Sequence, residues 1–374
     1  MRVLVLGAGF GGLELTTRLA DEFGPEIDIV LIDRSPGFVF GFAKLDVMFG
    51  RATAQEVLRP YVGLDRPGVR FVPTTIRAID PAARSVETDA GRFEADVLVV
   101  ALGADLDPAA TPGLVEHGHE FYTVPGAFAL REVLAGFDGG RVVVAVTSTP
   151  FKCPPAPSEC ALLVDDLLTA RGLRHASSID LVMPLGAPIP PSPAASAFLR
   201  EEFARRDIGW HPDLLVRELD GARRVAICSD GTEFGFDLFL GVPKHQAPAV
   251  VVAAGLTEDG WIPVDPDTLE TSYPGVFAVG DVTSVGTPKA GVFAEGQAAV
   301  VAERIAEQVR GTEPSTTYGG RGTCYLQVGA DGVATVDVTF RPGVAPAGFF
   351  DPPTPEQHAQ KVEFGTSRLQ RWFR

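Results

Sequence analysis

The residues best suited to chemistry lie in one stretch, Thr149-Pro150-Phe151-Lys152-Cys153-Pro154-Pro155-Ala156-Pro157-Ser158-Glu159-Cys160. It follows Gly139-Gly140-Arg141-Val142-Val143-Val144-Ala145-Val146, an apolar run that reads as the first strand of a doubly wound unit. Prolines fix φ and remove backbone donors, so the loop presents its thiol in a set place. The thiolate is the reactive form of cysteine, and both Lys152 and the N-terminus of a following helix should favour it on Cys153. Apolar spacing predicts that helix from Ser158, as N-cap, to Leu168. Cys160, inside the helix, and Cys228, in Val225-Ala226-Ile227-Cys228, read as packed apolar residues. Cys324, near the C-terminus, is the second cysteine of chemical interest.

The elements that must position this loop begin at the N-terminus. Val3-Leu4-Val5-Leu6 leads into Gly7-Ala8-Gly9-Phe10-Gly11-Gly12 and the helix-like Leu13 to Ala20. Gly7 permits the tight turn, Gly9 lets backbone approach a pyrophosphate, and Gly12 allows close helix packing, with the helix N-terminus facing the phosphates. A second apolar run ends at Asp33, where a carboxylate can accept hydrogen bonds from ribose hydroxyls. Strand, glycine loop, helix, strand and acid together point to an adenine dinucleotide.

A second dinucleotide site would need a second glycine loop after Val146. The loop there has no glycine, and its prolines remove the N–H donors a pyrophosphate requires, so no tight NAD(P)H site is expected. The region from Ile179 to Leu240 completes the second unit, with a helix from Ala194 to Arg206 and a surface loop or lip at Pro188-Ile189-Pro190-Pro191-Ser192-Pro193. His211 and His245 lie near the ends of predicted strands, and nothing in the sequence ranks either above a solvated loop histidine. The spacing of His, Cys and carboxylates predicts no metal site.

Composition narrows the function classes. The chain has 374 residues, 45% apolar and 21% charged, with a net charge of −16. That length implies two or three cores. The acidic balance excludes a broad basic surface for nucleic acid or anionic lipid. The N-terminal strand runs directly into its glycine loop, leaving no room for a leader segment, so a cytoplasmic chain is expected. No apolar run reaches the roughly 18 to 20 residues of a spanning helix.

Two later stretches narrow the dinucleotide. Phe93 to Gly103 is read as a buried strand ending Ala-x-Gly, and Thr271 to Asp281 as another ending Gly280-Asp281. They resemble the second and third FAD signatures of the two-dinucleotide flavoproteins related to glutathione reductase. In that family the final aspartate, here Asp281, binds the ribityl chain and pyrophosphate of FAD. The resemblance implies an α/β fold of two Rossmann-like doubly wound domains. A discontinuous FAD domain would occupy 1–110 and 245–320, an inserted NAD-like domain with the cysteine loop 111–244, and a small C-terminal layer 321–374. Gly7, Gly9, Gly12, Asp33, Gly103, Gly280 and Asp281 would be the cofactor-binding residues.

The Cys-Pro-Pro-Ala-Pro-x-Glu loop, the Pro288-Lys289-Ala290-Gly291 segment before the periodic run Ala298 to Val309, and Cys324-Tyr325 narrow the resemblance further. Together they look like the sulfide:quinone oxidoreductase and flavocytochrome c sulfide dehydrogenase family. The family's redox-active disulfide would fall on Cys153 and Cys324. Lys289 would stabilise negative charge on reduced flavin. The stretch Pro36 to Lys44 lacks the cysteine that tethers FAD in the flavocytochromes, so FAD should be non-covalent. The implied activity is oxidation of sulfide or a related small sulfur species, with quinone as acceptor, Cys160 or Cys228 being offered as a third cysteine. A hairpin-like pair, 322–329 and 333–340 with Gly and Asp331 in its turn, is followed by a proline-rich linker and a helix from Glu356 to Phe373. In that helix Leu369, Trp372 and Phe373 would touch a bilayer, line a quinone pocket or pack on the FAD domain, so peripheral membrane contact stays open, as does a homodimer. The competing readings are a type II NADH dehydrogenase-like or ferredoxin-reductase-like enzyme and a non-catalytic flavin-binding protein.

Overall fold

Fully buried apolar runs dictate the two central sheets, because a parallel strand covered on both faces tolerates no polar alternation. The computed structural model describes residues 1–329 and 332–374. In the first sheet the order is Val276–Ala278, Val97–Val100, Arg2–Leu6, Asp28–Asp33, Val69–Pro73, all parallel. In the second it is His119–Glu120, Leu238–Val242, Gly140–Val146, Ser177–Val182, Ile208–His211, again all parallel. Val3 to Leu6 and Val142 to Val146 have no exposed surface. The architecture is the doubly wound α/β fold expected. Helices Phe10–Phe23 and Gly291–Val309 pack together beside the first sheet, and Ala156–Ala170 and Pro193–Arg205 pack beside the second.

Several local expectations change. The helix after the cysteine loop starts at Ala156 with Pro155 as N-cap, so Ser158 does not cap it and instead lies buried inside, its hydroxyl without a partner. The prolines at 154, 155 and 157 need no N–H donors, which suits the first turn of a helix. The long helix that runs to Val309 begins at Gly291 rather than Ala298. The proline-rich tract is no lip over the site. Ile189 is buried, its N–H donates to the Ser196 hydroxyl oxygen at 3.0 Å, and the Pro191 carbonyl accepts from the Gly348 N–H at 2.8 Å. His211 ends the strand Ile208–His211 as expected, against Asp180 at 2.7 Å, whereas His245 is buried in the strand Lys244–Gln246 rather than solvated.

At the C-terminus, Arg321–Gln327 and Val333–Arg341 pair antiparallel as expected, while the turn position Asp331 lies outside the described residues. The expected linker is a third strand, Val344–Asp351, paired to Val333–Arg341. It is an edge strand, where Pro346 removes no ladder bond that the sheet needs. Helix Pro355–Trp372 opens on a Thr354 hydroxyl that accepts from the Gln357 N–H at 3.2 Å, with proline at its first position. Its last turn docks on the first sheet's side. Trp372 has no exposed surface, and its indole N–H donates to Glu14 at 2.8 Å. Arg371 and Arg18 also donate to that buried carboxylate. Phe373 stacks on Tyr61, with ring centres 6.2 Å apart. Trp372 therefore packs inward on the first unit, as one of the three expectations had it, with Phe373 half-buried against Tyr61.

This docking predicts a graded response. Trp372→Phe keeps most of the bulk but removes a donor to a buried carboxylate, costing about 1–3 kcal/mol. Trp372→Ala adds a cavity and should cost about 3–5 kcal/mol. Thermal unfolding followed by circular dichroism should show the midpoint falling in that order; equal midpoints for all three proteins would mean that the terminal helix is not docked as described.

Candidate functional site

One cavity of about 990 Å³ runs past the carboxyl ends of the strands, where doubly wound sheets bind their ligands. Gly7, Gly9 and Asp33 line it, as do Gly103, Gly280 and Asp281, and the part lined by Cys153, Cys324 and Lys289 is its chemical end. Gly12 stands apart from the lining. A Cβ there would fall 1.8 Å from the Gly7 carbonyl oxygen, so its role is the close approach of helix to loop. A Cβ on Gly9, by contrast, would meet nothing within 4 Å, which leaves the bare backbone at the helix N-terminus open to a phosphate. Asp33 accepts from the N–H of Ala8 and of Ser35, each at 2.7 Å, and a carboxylate retains acceptor sites beyond those two. These residues fit an adenine dinucleotide.

At the chemical end the loop of the second sheet meets a segment from the first unit. The Cys153 N–H donates to the Lys289 carbonyl at 2.8 Å, and Lys152 and Lys289 form a parallel bridge. Cys153 has φ +48, an uncommon conformation outside glycine, and its carbonyl accepts from Ala156 at 2.9 Å. Cys324 reaches the same cavity from the C-terminal sheet. All four cysteines are free thiols. Cys160 and Cys228 are buried in the apolar packing of the second unit and do not line the cavity, which removes the third-cysteine suggestion and bears out their reading as packed residues.

Electrostatics alter the expected character of the thiol. Burial, followed by the Glu159 carboxylate and the Cys324 sulfur, pushes Cys153 well above the ordinary thiol range, while Lys44 and the Ala156 N–H oppose this. Lys152 is turned away, its ammonium donating to the Ala104 carbonyl at 3.2 Å. The adjacent lysine and helix N-terminus therefore do not lower Cys153 below its usual range, because desolvation outweighs them. Cys324 is pushed up to about 12, by burial first and Glu159 second. Glu159 is itself raised by burial, although Lys361 and the Gln327 N–H, which donates to it at 2.8 Å, pull it down.

Lys289 is buried, with its ammonium 3.3 Å from the centre of the Trp261 ring and donating to the carbonyls of Asp281 at 2.6 Å and Thr283 at 3.0 Å. Burial lowers it to about 8, with the Asp281 carboxylate resisting. Asp281 is raised by burial against three lysines, 152, 289 and 44. An aromatic edge closes this end. Phe42, Phe364 and Tyr325 line it, Tyr325 and Phe364 lying 5.2 Å apart between ring centres. Lys361 sits over Phe42 at 4.8 Å and donates to the Gln327 side chain. A recess of about 690 Å³ between the C-terminal helix and the strand Arg321–Gln327 shares Tyr325 and Phe364 with the main cavity.

Sequence reading left Glu159, Lys44 and Lys361 without roles. Glu159 carried a signal, since a carboxylate in the first turns of an otherwise apolar helix beside a reactive thiol is costly unless it is used. Lys44 and Lys361 carried none, because each arrives from a distant element. The described helices include none long and apolar enough to cross a membrane.

The family model "Pyridine nucleotide-disulphide oxidoreductase" matches residues 1–304. The mitochondrial sulfide:quinone oxidoreductase of Mus musculus is 25% identical over 357 residues, 91% of this chain and 79% of that protein. The sulfide-quinone reductase of Aquifex aeolicus is 26% identical over 333 residues, 82% of this chain and 76% of that one. A crystal structure of sulfide:quinone oxidoreductase from Aquifex aeolicus superimposes with a TM-score of 0.87 at 22% identity, covering 100% of this chain and 91% of that one.

The electrostatic arrangement predicts that Glu159→Gln, by removing a buried negative charge, lowers the thiol range of Cys153. Alkylation of Cys153 by iodoacetamide, read by peptide mass spectrometry in the reduced protein above pH 8, should become several-fold faster. A slower or unchanged rate would show that the carboxylate does not act on this sulfur.

Proposed function

Because the chain belongs to the pyridine nucleotide-disulphide oxidoreductase family, we propose that it oxidises sulfide or a related small sulfur species through Cys153 and Cys324, passing the electrons by way of FAD to a quinone. One observation carries this reading: two cysteines remote in sequence line the cavity that also holds the dinucleotide cradle. The sulfide:quinone oxidoreductases among the chain's relatives support the substrate and acceptor.

The cofactor is FAD, held without a covalent bond. Gly7, Gly9 and Asp33 would hold its adenine dinucleotide portion, Gly12 keeping the helix close, with Gly103, Gly280 and Asp281 along its length. When bound, it supplies a two-electron acceptor at the cysteine end.

The cysteines act by thiol–disulfide exchange. In the oxidised form of the pair, a sulfide anion attacks one sulfur; the bond between the two cysteines breaks, a bond to the incoming sulfur forms, and the second cysteine leaves as a thiolate. Glu159, buried beside both sulfurs and with its carboxyl above the usual range, is placed to take or return the proton. Lys289 is held rigidly by two carbonyls and adds fixed positive charge, which favours a reduced, anionic acceptor. The aromatic edge of Phe42, Tyr325 and Phe364 offers flat apolar faces suited to a quinone ring. The NAD(P)H alternative lacks support, since the loop from Thr147 to Cys153 contains no glycine.

Anaerobic addition of sulfide should bleach the flavin absorbance, and a soluble quinone should restore it. Cys153→Ser and Cys324→Ser should each slow bleaching by about a thousandfold or more, while NADH leaves the wild-type spectrum unchanged on the same timescale. Rapid reduction by NADH with none by sulfide would overturn the proposal.

A further inference from the structure

The stretch Glu258-Asp259-Gly260-Trp261 is a two-residue turn. Asp259 and Gly260 have φ of +49 and +84, a conformation that an Asp-Gly pair adopts at little cost. The Trp261 N–H donates to the Glu258 carbonyl at 3.0 Å, and the Glu258 N–H to the Trp261 carbonyl at 2.8 Å. The next residue is laced to the segment after Asp281: the Ile262 N–H donates to the Val282 carbonyl and the Ser284 N–H to the Ile262 carbonyl, each at 2.9 Å. That segment also supplies the Asp281 and Thr283 carbonyls that accept from the Lys289 ammonium. The turn thus delivers a buried indole whose ring centre lies 3.3 Å from the Lys289 nitrogen. Lys289 lines the cavity, and Trp261 stands behind it, outside the lining.

A buried ammonium is costly unless something stabilises it, and a carboxylate bonded to it would cancel much of the field it sends into the cavity. The acceptors bonded to Lys289 are neutral carbonyls, and its remaining partner is the negative face of an indole, the side chain that binds cations best. We propose that Trp261 is a positioning residue whose ring face keeps the Lys289 ammonium charged and fixed, so that its positive charge faces the flavin. This rests on the reading of Lys289 as the flavin's cation and goes beyond it in naming what holds that charge. Of the titratable groups around the ammonium, Asp281 favours the charge, Lys152 opposes it, and His245 is held neutral by burial and by the lysines. Burial leaves Lys289 at about 8. The ring favours the charged form, so its loss should bring the lysine down toward neutrality and discharge it where the wild type keeps its proton.

Redox titration of the FAD holoprotein just above neutral pH, followed by flavin absorbance, tests this without turnover. Lys289→Met should lower the reduced-to-oxidised ratio at a fixed potential about tenfold, a midpoint about 30 mV lower for a two-electron couple. Trp261→Leu, which keeps apolar bulk but has no ring face, should lower the ratio about three- to fivefold, and Trp261→Phe less. In the Lys289→Met background Trp261→Leu should add nothing, since the ring acts only through the ammonium. An unmoved midpoint in Trp261→Leu while Lys289→Met shifts, or an equal Trp261→Leu shift in both backgrounds, overturns the proposal. Should the leucine variant fail to fold, biosynthetic fluorotryptophan keeps the indole shape and drains electron density from its face. The midpoint should then fall in the wild type and not in Trp261→Phe, and equal responses would refute the pairing. If Lys289→Met leaves the midpoint unmoved, the reading of Lys289 as the flavin's cation falls, and the ring contact is judged by acetylation of Lys289 with acetic anhydride, quantified by peptide mass spectrometry. Trp261→Leu should speed that acetylation several-fold near neutral pH, and an unchanged rate overturns the proposal. None of these measurements uses sulfide, so failure of the sulfide reaction would leave the Trp261 result to stand or fall by itself.

Discussion

A single backbone hydrogen bond, from the Cys153 N–H to the Lys289 carbonyl at 2.8 Å, joins the cysteine loop of one parallel sheet to the segment that opens the last long helix of the other. Everything at the chemical end of the cavity depends on that join. It sets a thiol from the second unit beside Asp281 and Lys289 of the first, and it closes the space in which Glu159, Lys44 and Cys324 act on one another. The loop can meet the segment this way because prolines at 154 and 155 leave no competing N–H groups and the φ of +48 at Cys153 turns the chain inward.

The same join explains why burial dominates the chemistry. A thiol drawn into a low-dielectric cavity next to a carboxylate resists ionising. Reactivity then depends on charge brought from elsewhere rather than on neighbours in sequence. Lys152, adjacent to the cysteine, is anchored away from it, whereas Lys44 and Lys361 come from elements more than a hundred residues distant. Buried carboxylates are paired throughout this region. Glu159 accepts from the Gln327 N–H, and Glu14 from Arg18, Arg371 and Trp372, so the last turn of the C-terminal helix is locked by ionic and aromatic contacts.

That locking changes the meaning of the C-terminal aromatic residues. Trp372 and Phe373 are packed against Phe38 and Tyr61, and Phe364, one helical face earlier, is left at the cavity edge beside Tyr325. The helix thus divides its aromatic residues between anchoring and lining the site. The third strand, Val344–Asp351, and the proline-rich tract at 188–193 support this layer from the second unit's side, through the Gly348 to Pro191 bond.

The sequence by itself determined the two sheets, the dinucleotide cradle and the interest of Cys153. Those features are local: Val3 to Leu6 and Val142 to Val146 are continuous apolar runs, and Gly7, Gly9, Gly12 and Asp33 stand at fixed spacing because one turn and one helix start need them. Helix ends were less legible, since proline at 157 allowed the helix to begin before Ser158, and strand Val344–Asp351 was hidden by Pro346 and the prolines that flank it. Only the tertiary structure decided that Cys324 shares the cavity of Cys153 and that Trp372 turns inward. The physical reason is that charge and desolvation act through space over several ångströms, and the groups that control Cys153 are neighbours only after two units and a C-terminal layer have packed around it.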